Sequence, residues 1–186
     1  MENFDVLVIG SGSGMLVAAA AVDQGFKVAL VEQGKMGGTC INVGCVPSKM
    51  LIYPADILAT FKEAGKLGIK VKVDSIDFNN IMSRTHELVN HDSAIQSAAV
   101  EATSNLTWFK EKGEFISDYT MQVGMHTITA KVIFIVSGAR AIVPLIKGLE
   151  NVSYLTSDTV LELQTQPKNI IIVGGGYIGM EYGHFF

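Results

Sequence analysis

Residues 37–49 read GGTCINVGCVPSK and hold both cysteines of the chain, Cys40 and Cys45, with Lys49 four positions after the second. Two thiols set close together beside a cation can do redox chemistry, because the thiolate is the reactive form of cysteine and a nearby positive charge favours it. The spacing limits the backbone. In a regular α-helix, Cα atoms five residues apart lie about 8.7 Å from each other, whereas a disulfide needs roughly 4.4–6.8 Å. Residues 40–45 therefore cannot be regular helix if the thiols pair. Gly44 permits a break, and Pro47 suits the first turn of a helix that follows. Cys45 then falls at a helix N-terminus with Lys49 one turn on, and both features stabilise a thiolate. Zinc fits poorly: it normally takes four ligands, and His86, His91, His126 and His184 are scattered, so no metal is expected. Two inert buried cysteines are the remaining alternative, one that makes the flanking glycines, proline and lysine coincidental.

A second kind of chemistry is written in glycines. GSGSGM at 10–15 follows the apolar run FDVLVIG and precedes a small, apolar helical stretch. Gly10, Gly12 and Gly14 allow a tight turn and let backbone N–H groups approach a pyrophosphate at a helix N-terminus. Met15 stands where the pattern wants glycine or alanine. Glu32 lies twenty residues after Gly12, at the end of KVALVE, where an acid can accept from a ribose hydroxyl. A like pattern recurs at GGGYIG, 174–179, with Gly174, Gly176 and Gly179 in place after NIIIV. Its acid would lie beyond Phe186, so the ribose contact cannot separate NAD from NADP.

These groups need elements to hold them. Strands are expected at 4–10 and 27–32, with a helix at 14–24 between them and Gly25 as its C-cap. Pro47 to Lys66 and 78–103 read as helices, the second with Ile81, Leu88, Ile95, Ala98 and Ala102 near one stripe. Leu106 to Val136 reads as a small meander, with VIFIV (132–136) returning to the main sheet. NIIIVGGG (169–176) opens a further strand, and the chain stops ten residues into its helix. The fold class is thus α/β: a Rossmann-like domain with a parallel sheet and a β-meander, then the start of a second Rossmann-like domain. Residues 1–150 form the first, incomplete without a later return of the chain, and 151–186 the linker and the beginning of the second.

Bulk properties agree. Fourteen basic and 18 acidic residues give a net charge of −4, so neither nucleic acid nor an anionic membrane is an expected partner. Hydrophobic residues make up 48% and mean hydropathy is +0.34, enough for a buried core. The start, MENFDVLVIG, has no signal-peptide pattern. A cytoplasmic, reducing compartment is expected, where a cysteine pair is more often catalytic than a structural staple.

Taken together, GSGSGM with Glu32, GGTCINVGCVPSK, VSGARAIVPLIKGLE (136–150) and GGGYIG resemble the class I pyridine nucleotide–disulfide oxidoreductases along the whole chain. The resemblance implies FAD at the first fingerprint, with Gly10, Gly12 and Gly14 at its pyrophosphate and Glu32 at its ribose. Gly38 and Thr39, Gly113 and Glu114 near adenine, and Ser137 and Gly138 fall at the family's flavin contacts. It implies NAD or NADP at Gly174, Gly176 and Gly179. Cys45 matches the thiol that stacks on the flavin and Cys40 the one that exchanges with substrate; Lys49 lies by the flavin ring and Glu181 pairs with it. Electrons are then expected to pass between NAD(P)H, FAD and a Cys40–Cys45 disulfide, and onward to a small disulfide or dithiol. Ser48, in the form CxPSK, points first to a dihydrolipoamide dehydrogenase, with lipoamide carried on an acyltransferase. MLIYPAD (50–56) and Met15 depart from that branch, and a mycothione- or mercuric-reductase-like enzyme is the alternative. Family enzymes are longer homodimers, so this piece alone is expected to be inactive; a truncated, non-catalytic flavin-binding remnant is the reading from another class.

Overall fold

The computed structural model describes all 186 residues, Met1–Phe186. The chain folds into two compact units, Met1–Asn42 with Asn90–Arg140, and Val43–Val89 with Ala141–Phe186.

The first unit is built on a six-stranded sheet: β1 (Glu2–Ile9), β2 (Val28–Val31), β3 (Leu106–Phe109), β4 (Gly113–Ser117), β5 (Thr120–Val123) and β6 (His126–Ile135), in the order β3-β2-β1-β6-β5-β4. β1 pairs in parallel with β2 (Val6 with Val28) and with β6 (Val8 with Phe134), and β2 with β3 (Leu30 with Trp108). Leu7, Val8, Val28 and Leu30 are fully buried, as continuous apolar strands of a parallel sheet must be. Each such side chain contributes about 1.5–3 kcal/mol relative to exposure.

The meander is β4–β6. β6 is one strand rather than a hairpin arm followed by a separate VIFIV strand. Its first residues pair antiparallel with β5 (Ile128 with Met121), and from Ile128 to Ile135 it runs parallel to β1. β3, expected in the meander, belongs to the parallel part.

α1 (Gly14–Asp23) crosses from β1 to β2. It ends as expected at Gly25: the Gly25 N–H donates to the Val22 carbonyl at 2.8 Å and the Phe26 N–H to the Ala21 carbonyl at 3.1 Å. This paired geometry needs a left-handed residue, and Gly25 has φ +83°.

α2 (Gly38–Asn42), α3 (Cys45–Ala64) and α4 (Phe78–Ala102) follow β2. α4 gives its first half to the second unit and its second half to the first. Its buried stripe differs from the expected one: Phe78, Met82, Thr85, Val89, Ser93 and Val100 face inward, whereas Ile95 is 54% exposed and Ala98 and Ala102 are not buried. The helix is rotated about one residue because two hydroxyls are satisfied inside. Thr85 Oγ1 donates to the Ile81 carbonyl at 2.9 Å and Ser93 Oγ to the Met36 carbonyl at 2.8 Å. A hydrogen-bonded hydroxyl is a small core residue.

In the second unit, Leu51, Phe78, Met82, Val160 and Leu161 form the core, against which Tyr182, Phe185 and Phe186 pack at the end of α5 (Tyr177–Phe185). The strand expected in NIIIVGGG (169–176) joins no ladder; no segment of this unit is a strand. No helix is long and apolar enough to cross a membrane.

Candidate functional site: a glycine cradle, a thiol loop and a lysine–glutamate pair

The first glycine turn is sterically fixed. Gly10 has φ +106°, and a Cβ there would lie 2.4 Å from the Val136 carbonyl oxygen. At Gly14 a Cβ would come within 2.6 Å of Val136 Cγ2 and 2.8 Å of Val8 Cγ1. Both positions seat the turn and α1 tightly on β1 and the end of β6. A Cβ on Gly12 would make only an ordinary contact, 3.6 Å to Gly38 Cα. Met15 and Leu16 turn their N–H groups back to the Gly12 and Ser13 carbonyls. The N–H groups of Gly12, Ser13 and Gly14 have no such acceptor, the situation in which a helix start takes an anion. Met15 packs beside the cluster that includes Val8, Ala18 and Leu30, so the bulkier residue is absorbed by the core.

Glu32 follows β2 at this turn. Its Oε2 accepts from the Ser11 N–H and the Ser11 hydroxyl, each at 2.9 Å, and its Oε1 from the Gly34 N–H at 2.7 Å. A carboxylate offers about four acceptor sites. Three are used, and one remains, on Oε1, for a hydroxyl. Open N–H groups at a helix start, next to a carboxylate with one free acceptor site, fit the pyrophosphate and ribose of a dinucleotide.

The thiol loop begins at a second glycine turn, Gly37 (φ +109°) and Gly38 (φ +61°). A Cβ at Gly38 would lie 2.5 Å from Gly12 Cα, so the two turns touch backbone to backbone. Cys40 and Thr39 are exposed on α2, and Cys45 is exposed as the first residue of α3. The break between these helices falls at Val43–Gly44, so residues 40–45 are not one regular helix. α3 starts at Cys45 itself, two residues ahead of the expected Pro47. Lys49 lies four residues on, hence on the same helix face as Cys45.

Lys49 Nζ forms an ion pair with Glu181 Oε1, joining α3 to α5 within the second unit. The bond from the Lys49 ammonium, foremost, holds the Glu181 carboxyl below its ordinary range; Ser48 and the Coulomb attraction of Lys49 add smaller effects. The Ser48 hydroxyl itself lies 3.4 Å from the Cys45 carbonyl oxygen, a long contact, so we ascribe the shift to Lys49. Beside this pair, His184 Nε2 lies 2.8 Å from Asp56 Oδ1. Burial, then the charges of Asp158 and Glu181, push the neighbouring Tyr182 hydroxyl up to about 12.

At the second fingerprint, Gly174 has φ +114°, and a Cβ on Gly179 would lie 2.8 Å from the Gly174 carbonyl oxygen. An added Cβ on Gly175 or Gly176 would meet nothing within 4 Å. The other expected contacts have mixed surroundings. At Gly113 a Cβ would lie 2.4 Å from Met121 Sδ, so a side chain there would displace Met121. Glu114 and Ser137 are exposed; Ser137 Cα lies near Gly10, and Gly138 has φ +74°.

Sequence reasoning passes over three residues here. Ser11 is 1% exposed and bonds both Glu32 and Gly37. The Asn42 side-chain amide donates to the carbonyls of Lys35, Met36 and Gly38 at 3.3, 3.1 and 2.9 Å, clamping the turn before Cys40. The Trp108 indole N–H donates to the Glu32 carbonyl at 3.3 Å. Only Asn42, set between the cysteines, carries a positional signal.

Comparison with known proteins gives the class. The profile of the family described as pyridine nucleotide-disulphide oxidoreductase matches residues 4–186, and the chain belongs to that family. Members bind FAD and NAD(P)H. The chain is 36% identical to mercuric reductase of Lysinibacillus sphaericus, over 100% of its own length and 34% of the relative's. It is 30% identical to mycothione reductase of Mycobacterium tuberculosis, over 100% of its length and 42% of the relative's. With glutathione reductase of Nostoc it shares 35%, over 97% and 39%. A solved structure, the Cu(II) complex of the HOCl-induced flavoprotein disulfide reductase RclA from Escherichia coli, superposes with a TM-score of 0.82 at 31% identity, covering 97% of this chain and 39% of that one. The chain thus spans well under half the length of these relatives. Their names back the mercuric- and mycothione-reductase-like alternative better than the lipoamide expectation.

Proposed function

We propose that this chain is the flavin- and thiol-bearing part of a reductase that takes electrons from NAD(P)H and delivers them through a Cys40–Cys45 disulfide to a small thiol-reactive substrate of the mercuric- or mycothione-reductase kind. Residues 1–150 serve as the flavin domain and 151–186 as the linker and start of the nicotinamide domain. The observation that carries this reading is the Lys49–Glu181 pair, set on the helix that Cys45 opens.

FAD, when bound, supplies the conversion of a two-electron hydride transfer into thiol chemistry. The chain's residues do the rest. Backbone N–H groups at 12–14 and Glu32 hold the dinucleotide end. Two-electron reduction of the Cys40–Cys45 disulfide yields a thiol and a thiolate, with one proton taken up. The helix N-terminus and Lys49 favour the charge on Cys45, and Glu181 keeps Lys49 protonated. Cys40, on the exposed α2, attacks the substrate disulfide and releases one thiol; Cys45 then displaces the second and restores the Cys40–Cys45 bond. A soft metal ion would instead be held by the two thiolates as substrate. The working enzyme is a cytoplasmic homodimer in this reading, as the resemblance implies.

The test is NADH and NADPH oxidation by the longest natural form of the protein, offered Hg(II), mycothiol disulfide, glutathione disulfide and lipoamide in turn. Preferred turnover of Hg(II) or mycothiol disulfide supports the reading. Preference for lipoamide, or no turnover with any acceptor, overturns it.

A further inference from the structure

Ser11 occupies a position of the Gly-x-Gly turn that the fingerprint leaves unspecified, yet it is among the most buried polar residues of the chain, 1% exposed. Its hydroxyl is bonded on both sides. The Gly37 N–H donates to Ser11 Oγ at 3.1 Å, and Ser11 Oγ donates to Glu32 Oε2 at 2.9 Å. The Ser11 N–H donates to the same Oε2 at 2.9 Å. The direction is fixed: an amide can only donate, so the hydroxyl proton must serve Glu32. Two donors fill Oε2. The Gly34 N–H takes one site on Oε1 and leaves one.

A glutamate at a strand end has free rotamers to lose when it meets a ligand. Here that ordering is built into the protein. The carboxylate is turned so that a single hydroxyl can complete it, which suits a neutral donor and repels a phosphate. The same hydroxyl reaches the Gly37 turn, and Gly38 there touches Gly12. The dinucleotide turn and the entry to α2, which carries Cys40, are thereby one junction of the first unit.

We infer that Ser11 is a positioning residue: its hydroxyl locks Glu32 to receive one ribose hydroxyl of the adenosine half of FAD and ties that carboxylate to the Gly37–Gly38 turn leading to Cys40. The inference rests on the flavin reading of the first glycine turn.

The experiment measures Kd for FAD and for FMN, which lacks the adenosine half, on the chain and on Ser11→Ala, Ser11→Cys, Glu32→Gln and Ser11→Ala/Glu32→Gln. Ser11→Cys keeps the volume and weakens the hydrogen bonds, which separates packing from bonding. Losing the bond should weaken FAD about tenfold in both single Ser11 variants. FMN affinity should stay unchanged, and the double variant should bind FAD no worse than Glu32→Gln. Unchanged FAD affinity, equal losses for FAD and FMN, or additive losses would overturn the inference. A flavin-free measurement runs beside it: exchange of the Gly37 amide proton should quicken about tenfold in Ser11→Ala, where its acceptor is gone. No change in that exchange refutes the link to Gly37 whatever the flavin data show. A chain that takes up no FAD while Gly37 responds would sink the flavin reading and, with it, the ribose role.

Discussion

The two glycine fingerprints share a motif and differ in what surrounds it. Around 10–15 the glycines are forced: side chains at Gly10, Gly14 and the adjoining Gly38 would each strike neighbouring atoms within 2.6 Å. At 174–179 only Gly179 is crowded, while Gly175 and Gly176 have open space. The strand before the first turn sits in the middle of a sheet; the segment before the second pairs with no strand. A fingerprint therefore carries two separable demands. One is steric and fixed by the chain's own packing; the other is room for a ligand.

The largest effect should come from Gly10→Ala. Its φ of +106° and its 2.4 Å approach to Val136 predict a loss of about 3 kcal/mol or more in urea unfolding, whereas Gly175→Ala should change stability by less than about 0.5 kcal/mol. Comparable losses at both would erase the contrast. Next is Glu32→Ala, which should weaken FAD by about 1.5–3 kcal/mol, a factor of roughly ten to a hundred, by equilibrium dialysis. No change would remove the ribose role and leave only the steric demand.

Smaller effects lie in the second unit and depend on pH. Tyr182 is raised from 10.0 to about 12. A raised pKa favours the folded state fully below about pH 10, and that contribution is lost as pH climbs from there towards the folded-state value. Thermal unfolding should show this alkaline loss, and Tyr182→Phe should abolish that part of it. Glu181 works in the opposite sense. Its carboxyl lies below 4.5, so its contribution is present above that ordinary value and fades as pH falls through the lowered one. Glu181→Gln should flatten this acid limb slightly, since the pair is exposed; an unchanged limb would mean the pair contributes nothing to stability.

What is legible in the sequence follows the same division. β1, α1, β2 and the Gly25 cap are readable because continuous apolar runs and a left-handed glycine are local signals. The break before Cys45 is readable because Gly44 permits it and Pro47 suits the first turn of the helix that follows. The face of α4 is not, because Thr85 and Ser93 are buried through bonds to backbone carbonyls that no periodicity reveals. The segment 169–176 misleads for a related reason: apolar composition marks a candidate strand, but only a paired neighbour makes one, and none pairs with it here. At the site, Glu32 and Lys49 stand out by type and spacing, and Glu181 by the family resemblance. Ser11 and Asn42 do not stand out by type, since their roles lie in contacts across the turn between β2 and α2.

The central claim is that Cys45 faces the flavin and Cys40 faces the substrate. The direct measurement is the visible spectrum of the FAD-loaded chain reduced with dithiothreitol, together with its two single variants. The account predicts a long-wavelength charge-transfer band in the parent chain, kept in Cys40→Ser and lost in Cys45→Ser. The band lost in Cys40→Ser and kept in Cys45→Ser, or absent from all three with FAD bound, would contradict it.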